Sequence, residues 1–353
     1  MIKKNYRTGA GSNKSRLRRK ILGWMAGIVL LSGIAAGLAV FGPNTGKLRD
    51  QYLLIHTGDT YETVLLRLKS NDFLLAGFTF DILAQLVGYP DKVKAGRYHI
   101  SPSMSNYAMI RMLRNGAQEP VRIVINKIRT KDDMARFLSG NLEADADELK
   151  RLMDSDTFLS RFGLRPEQAL CGIIPDTYEF WWNTPAAGVL SRLFQYQQKF
   201  WNPERIAKAE ALGLSTSEVY ILAAIVEEES NKNDEKPDIA SVYMNRLKVG
   251  MPLQADPTVK FAWGDFSIKR VMSTHLKITS PYNTYLNAGL PPGPICTPSV
   301  ISIDAVLNAN KTNYLYFCAK PDFSGYHTFS TNYATHLINA KAYAKALNEK
   351  GIR

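Results

Sequence analysis

The sequence predicts an α+β protein held at a membrane by one N-terminal helix, and three observations carry that expectation. First, "ILGWMAGIVLLSGIAAGLAVF", Ile21 to Phe41, contains no charged residue and is long enough to cross a hydrocarbon core. Second, two strand-then-helix patterns follow it, "LLIHTGDTYETVLLRLKSNDFL" and "KAGRYHISPSMSNYAMIRMLRNG". Third, the remainder combines several helical patterns with two short apolar strands, "NYLYFCAK" and "YHTFS", joined by the turn "PDFSG". At 353 residues the chain exceeds one average domain and can bury a sizeable core.

The elements follow in order. Residues 1–20 hold Lys3, Lys4, Arg7, Lys14, Arg16, Arg18, Arg19 and Lys20 with no acid, so this tail supplies eight of the net +12 charges. A basic pI of that origin gives no reason to expect a nucleic-acid groove, and no nucleic-acid partner is expected. The cations precede the apolar run over 21–41. The expected topology therefore has the N-terminus in the cytoplasm and everything after Phe41 outside, at the cytoplasmic (inner) membrane. A cleaved signal peptide is the alternative, but the run is long for one and no clear A-x-A site follows.

Residues 42–118 read as a small α/β module with its juxtamembrane segment. A Gly58-Asp59 turn leads to a helix capped by Thr60 with Val64, Leu65 and Leu68 as its buried stripe; Ser105 caps the second helix and Gly116 ends it. The strand, Gly-Asp-Thr turn and helix resemble a LysM-type module, which implies binding of N-acetylglucosamine polymers. A plain spacer is the competing reading. Residues 119–165 read as a connector, with the strand "VRIVINKI" and helices whose acidic faces are solvated. From "IIPDTYEFWW" onward, 166–353 reads as one large domain without repeats.

Within that domain, Ser215 and Glu218 have capping-box spacing ahead of a helix that is apolar on every side from Val219 to Val226. It ends in Glu227, Glu228 and Glu229. Glu229 is four residues after Ile225 and three after Val226, so it continues an apolar stripe, whereas Glu227 points to a different face. Burial and the negative end of the helix dipole both disfavour an ionised Glu229, so its pKa should rise, as a general acid near neutral pH requires. A structural Glu paired with Arg246 is the alternative. A second helix, with Pro237 in its first turn and Gly250 past its end, places Asn245 and Arg246 within reach. "GMPLQADPTVKFA" then brings Gln254 and Asp256, the latter before a proline expected to force an extended backbone along a cleft wall.

Cys171, Cys296 and Cys318 fit no zinc spacing, there is no HExxH, and "GPNTGK" is one residue short of a phosphate-binding loop, so no metal or cofactor is expected. One disulfide with a free thiol, or none, are both open.

"IVEEES", "SVYMNRL", "GMPLQADPTV", "SPYNTYLNAGLPPGPICTPS" and "YLYFCA…GYHTFSTNYATH" resemble, in order and spacing, the endolytic murein transglycosylases of the YceG-like family. The resemblance implies a membrane-anchored lytic transglycosylase, a lyase that cuts peptidoglycan glycan strands between N-acetylmuramic acid and N-acetylglucosamine. It also implies proximity to membrane-bound synthases and a lysozyme-like helical core. The family's acid, the second Glu of E-x-E-[ST], falls on Glu229, and Glu227 is the first. Gln254, Asn245, Asn283, Tyr282, Tyr285 and Asp256 join Glu227 as expected substrate-binding residues. Glu228 stands where relatives often have Lys. "GLPPGP" is expected to be a stiff loop shaping the cleft, and His327 and His336 to be structural. Two rivals remain: a hydrolase of the same bond using Asp256 as second carboxylate, and a non-catalytic glycan-binding scaffold for cell-wall synthases.

Overall fold

The computed structural model describes residues 11–46 and 51–351, so residues 1–10 of the expected basic tail lie outside the described residues. It mixes helices with short antiparallel strand pairs and separates into two compact units, Met1–Pro120 with Trp181–Asn183, and Val121–Phe180 with Thr184–Arg353.

The first unit begins with α1 (Gly11–Phe41), whose stretch from Arg16 to Phe41 is long and apolar enough to cross a membrane and has none of its apolar window buried. Beyond it, β1 (Gln51–Ile55) leads through α2 (Tyr61–Ser70) and α3 (Gly77–Leu86) to β2 (Gly96–Ile100), and α4 (Asn106–Asn115) follows. β1 and β2 pair antiparallel with Leu53 opposite Tyr98. Leu53, Ile55, Tyr98 and Ile100 alternate inward and meet Val64, Leu68, Phe80, Met109 and Leu113 from the helices in one core. Local sequence sets the helix ends: Thr60 and Ser105 accept from the backbone N–H groups of Thr63 and Ala108, and Gly116 takes the left-handed conformation that stops α4.

The second unit starts with β3 (Val121–Val124), which pairs antiparallel with β4 (Thr177–Phe180), Val121 opposite Phe180. Between them lie α5 (Lys131–Ser139), α6 (Ala146–Met153) and α7 (Asp156–Leu159). Residues read from sequence as a connector thus contribute Ile123, Met134, Leu138, Leu149 and Leu159 to the same core as the later helices. Those are α8 (Ala186–Phe200), α9 (Pro203–Ala211), α10 (Thr216–Glu229), α11 (Lys236–Lys248), α12 (Asp256–Trp263) and α13 (Val300–Leu307). The hairpin β5 (Tyr316–Ala319) and β6 (His327–Ser330), with Tyr316 opposite Ser330, precedes α14 (Tyr333–Glu349).

The centre of this unit is α10. Its capping box forms as the spacing predicts, with Ser215 and Glu218 exchanging side-chain to backbone bonds. Every residue from Val219 to Val226 is buried, and full burial of each Val, Leu or Ile is worth about 1.5–3 kcal/mol, so the helix cannot rotate without large loss. α11, α12 and α13 pack against it. All three cysteines are free thiols, two of them buried.

Candidate active site

Three consecutive carboxylates on a helix leave it about 100° apart, so Glu227, Glu228 and Glu229 meet three different surroundings at the end of α10.

Glu227 ties elements together. Its Oε2 accepts from Ser299 Oγ at 2.6 Å, Ser302 Oγ at 2.5 Å and the buried Lys236 ammonium at 3.1 Å. Ser299 caps α13 and Lys236 opens α11, so one carboxylate holds the starts of two helices. Burial alone would raise its pKa, but the bonds from Ser299, Ser302 and Lys236 outweigh that and hold it below the usual carboxylate value.

Glu228 faces a strap formed by residues 126–129, which hydrogen-bonds to Thr297: Thr297 N–H donates to the Ile128 carbonyl at 2.8 Å and Ile128 N–H to Thr297 Oγ1 at 2.9 Å. The strap delivers Lys127 and Arg129, each 2.9 Å from a Glu228 oxygen. Burial works against ionisation, but these two cations keep the pKa low. The charge that Glu228 adds is thereby neutralised within the fold.

Glu229 has neither arrangement. It is partly buried, and burial raises its pKa from 4.5 to about 7 against the lowering effect of a hydrogen bond from Tyr243; the negative charge of Asp256 adds to the rise, while Lys260 and Arg246 oppose it. Tyr243 Oη donates to Oε1 at 2.6 Å. Among the described residues no group donates to Oε2, so that oxygen has no protein donor. Arg246 is not its ion-pair partner: its guanidinium donates to the carbonyls of Leu315 at 2.7 Å and Leu253 at 2.6 Å, strapping the hairpin to the loop before α12.

The other expected residues divide. Asp256 acts electrostatically on Glu229 and accepts a 2.6 Å bond from Tyr285 Oη; Tyr285 in turn feels the charges of Asp256 and Glu229, so these three share one site. The extended backbone expected at Asp256 is corrected: Asp256 opens α12, and Pro257 sits in the first turn, where its missing N–H has no helical partner to lose. Gln254 is exposed and holds a left-handed backbone, φ +52°, unusual for a residue with a side chain. Asn245 Nδ2 donates to the Thr312 and Tyr314 carbonyls. Asn283 is fully buried, with Nδ2 on the Leu276 and Ile278 carbonyls and Oδ1 on Tyr285 N–H. Both amides' protons are spent on loops, leaving none for a ligand. Tyr282 packs on Phe261 at 4.7 Å, and burial pushes its hydroxyl up to about 12.

"GLPPGP", expected as a stiff loop shaping the cleft, lines a cavity. Residues 289–292 border a cavity with Ser215, Glu218 and Ile221, at the start of α10, while Glu229 is thirteen residues on, about 20 Å along the helix. Gly293 allows the close approach: a Cβ there would lie 1.8 Å from the Glu167 carbonyl oxygen. His327 is tied to Glu235 by its backbone N–H at 2.6 Å and Nδ1 at 3.1 Å, and His336 stacks on Tyr316 at 5.2 Å.

The sequence reading did not single out Tyr243, the hydrogen-bond partner of Glu229. The signal was available, since a buried tyrosine must place its hydroxyl on some acceptor.

The YceG-like family matches residues 53–342. The chain is 29% identical to an endolytic murein transglycosylase of Bacillus subtilis strain 168, over 84% of this chain and 85% of that one. It is 28% identical to an endolytic murein transglycosylase of Streptococcus pneumoniae serotype 2 strain D39, over 75% of this chain and 53% of the longer relative. A crystal structure of a YceG-like protein from Listeria monocytogenes superposes with a TM-score of 0.56 at 25% identity, covering 82% of this chain and 98% of that one.

Proposed function

We propose that this chain, which belongs to the YceG-like family, is a membrane-anchored endolytic peptidoglycan lytic transglycosylase. It cleaves the β-1,4 bond between N-acetylmuramic acid and N-acetylglucosamine and leaves 1,6-anhydromuramic ends. The curated relatives are named for this activity class. The observation that carries the mechanism is Glu229, the one carboxyl group of its helix end without an ion-pair contact among the described residues and held protonated to about pH 7.

The reaction then needs only one acid-base group. Glu229 Oε2–H gives its proton to the glycosidic oxygen as the bond to the muramic anomeric carbon breaks and an oxocarbenium-like centre forms. The carboxylate next takes the proton of the muramic 6-hydroxyl, whose oxygen bonds to that carbon and closes the anhydro ring. Glu229 ends protonated, ready for another cycle. Tyr243, by occupying Oε1, fixes which oxygen faces the bond. A hydrolase would use Asp256 as base to activate water; here Asp256 is engaged by Tyr285.

In the same reading α1 is a single-pass anchor with the cytoplasmic N-terminus expected from the basic tail. The β1–β2 unit is a LysM-like glycan-binding module, supported by the turn at Gly58 between β1 and α2. The helices around α10 form a lysozyme-like core, supported by the buried catalytic helix. Membrane-bound synthases are the partners that share this location.

Mass analysis of products from purified glycan strands tests the proposal. Anhydro ends, lighter than hydrolytic ends by one water and inert to borohydride, are expected. Reducible ends, or incorporation of label from heavy-oxygen water, would replace it with a hydrolase.

A further inference from the structure

Beyond α1, the described residues of the first unit expose an apolar face of α3. α3 buries Phe80 and Ala84 against its core, while Phe78, Ile82 and Leu86 are 73%, 45% and 78% exposed, and Leu75 just ahead of the helix is 69% exposed. Steps of four residues align Phe78, Ile82 and Leu86 in a single stripe. Large apolar side chains exposed in a row, unlike scattered ones, mark a surface that something covers.

Where this stripe begins is fixed by hydrogen bonds to the end of α1 and the residues just after it. Asn44 exchanges two bonds with Ala76, at 3.1 and 2.7 Å, and its carbonyl accepts from Leu75 N–H at 2.7 Å. Asn106, the buried first residue of α4, donates to the Ala39 carbonyl at 2.9 Å and to Thr79 Oγ1 at 3.0 Å. Phe41 meets the ring of Tyr107 at 5.5 Å. Ala39 lies inside the apolar run, about 3 Å of helix rise before its last residue. If Ile21 to Phe41 fills the hydrocarbon, the starts of α3 and α4 therefore sit at its boundary with water. α4 carries Arg111 and Arg114 and no acid, a charge suited to anionic headgroups.

We infer that α3 lies on the outer surface of the membrane, with Leu75, Phe78, Ile82 and Leu86 in the boundary between headgroups and acyl chains and Arg111 and Arg114 over anionic lipid. This rests on the reading of α1 as an anchor and adds a second lipid contact to it. A helix with one apolar face and a cationic neighbour binds in the plane of the interface. The aromatic pair Phe41 and Tyr107 fits the same depth.

The test uses the full chain with Cys318→Ser, which leaves the buried Cys171 and Cys296, reconstituted in phosphatidylethanolamine and phosphatidylglycerol vesicles. Nitroxide labels are placed through Ile28→Cys, Ile82→Cys, Leu86→Cys or the exposed Glu62→Cys, and accessibility to oxygen and to a water-soluble nickel complex is read by power saturation. Labels at 82 and 86 should be several-fold less accessible to nickel than the label at 62 and more accessible to oxygen. Arg111→Glu with Arg114→Glu should raise nickel access at 82 in these vesicles but not in phosphatidylcholine. Nickel access at 82 equal to that at 62, with 28 still in lipid, would overturn the inference and leave the anchor standing. Water access at 28 would remove the anchor and the inference together. Spin–spin broadening between copies at 82 would assign the stripe to a second copy of the chain, also overturning it.

Discussion

Replacing Glu229 by glutamine separates the acid from its shape. The amide keeps an oxygen for the Tyr243 hydroxyl and carries no charge, so it imitates the protonated side chain. In the folded wild type the carboxyl titrates at about 7, whereas the unfolded chain releases that proton near 4.5. The pKa is raised by folding, so its stabilising contribution is complete below about pH 4.5 and is lost as pH rises toward 7, then stays constant. At about 1.36 kcal/mol per pKa unit, the wild type forfeits roughly 3 kcal/mol over that window. Glu229→Gln should thus match wild-type stability at pH 4 and exceed it by up to about 3 kcal/mol at pH 8, while activity falls by about 10²–10⁴-fold. Urea unfolding at intervals from pH 4 to 8, followed by circular dichroism, reads the first effect; release of soluble glycan fragments reads the second. A stability difference independent of pH, or a variant weaker than wild type at pH 8, would show that Glu229 is ionised and paired. Near-normal turnover would remove it as the acid.

Other substitutions probe its neighbours. Tyr243→Phe removes the hydrogen bond that lowers the Glu229 pKa, so the alkaline limb of kcat/KM should move to higher pH and kcat should drop about tenfold as the carboxyl loses its fixed orientation; an unmoved limb would contradict that role. Asp256→Asn removes a charge that raises the pKa, so the same limb should move to lower pH with turnover kept within about tenfold. A loss near 10³-fold would instead make Asp256 a second catalytic carboxylate. Glu228→Gln leaves Lys127 and Arg129 without their anion and should lower stability by about 1 kcal/mol, read as a fall of a few degrees in Tm, with kcat unchanged within twofold.

The sequence by itself determined what short-range rules control. The span of α1, the caps at Thr60, Ser105 and Ser215, the buried body of α10 and the proline-started α11 are written in neighbouring residues, because a helix needs only local hydrogen bonds and a periodic apolar face. The pattern also singled out Glu229, since the buried stripe runs into it. What local pattern left undecided was which charge each glutamate would meet. Lys127 and Arg129 reach Glu228 from about a hundred residues earlier in the chain, and Ser299 and Ser302 reach Glu227 from more than seventy later. Asp256 looked extended from its proline, yet the packing of α12 against α10 made it a helix start. Periodicity says which face of a helix is turned inward, but the pKa of a carboxyl there depends on groups that distant segments bring within hydrogen-bonding range, and those are set only when the whole core closes.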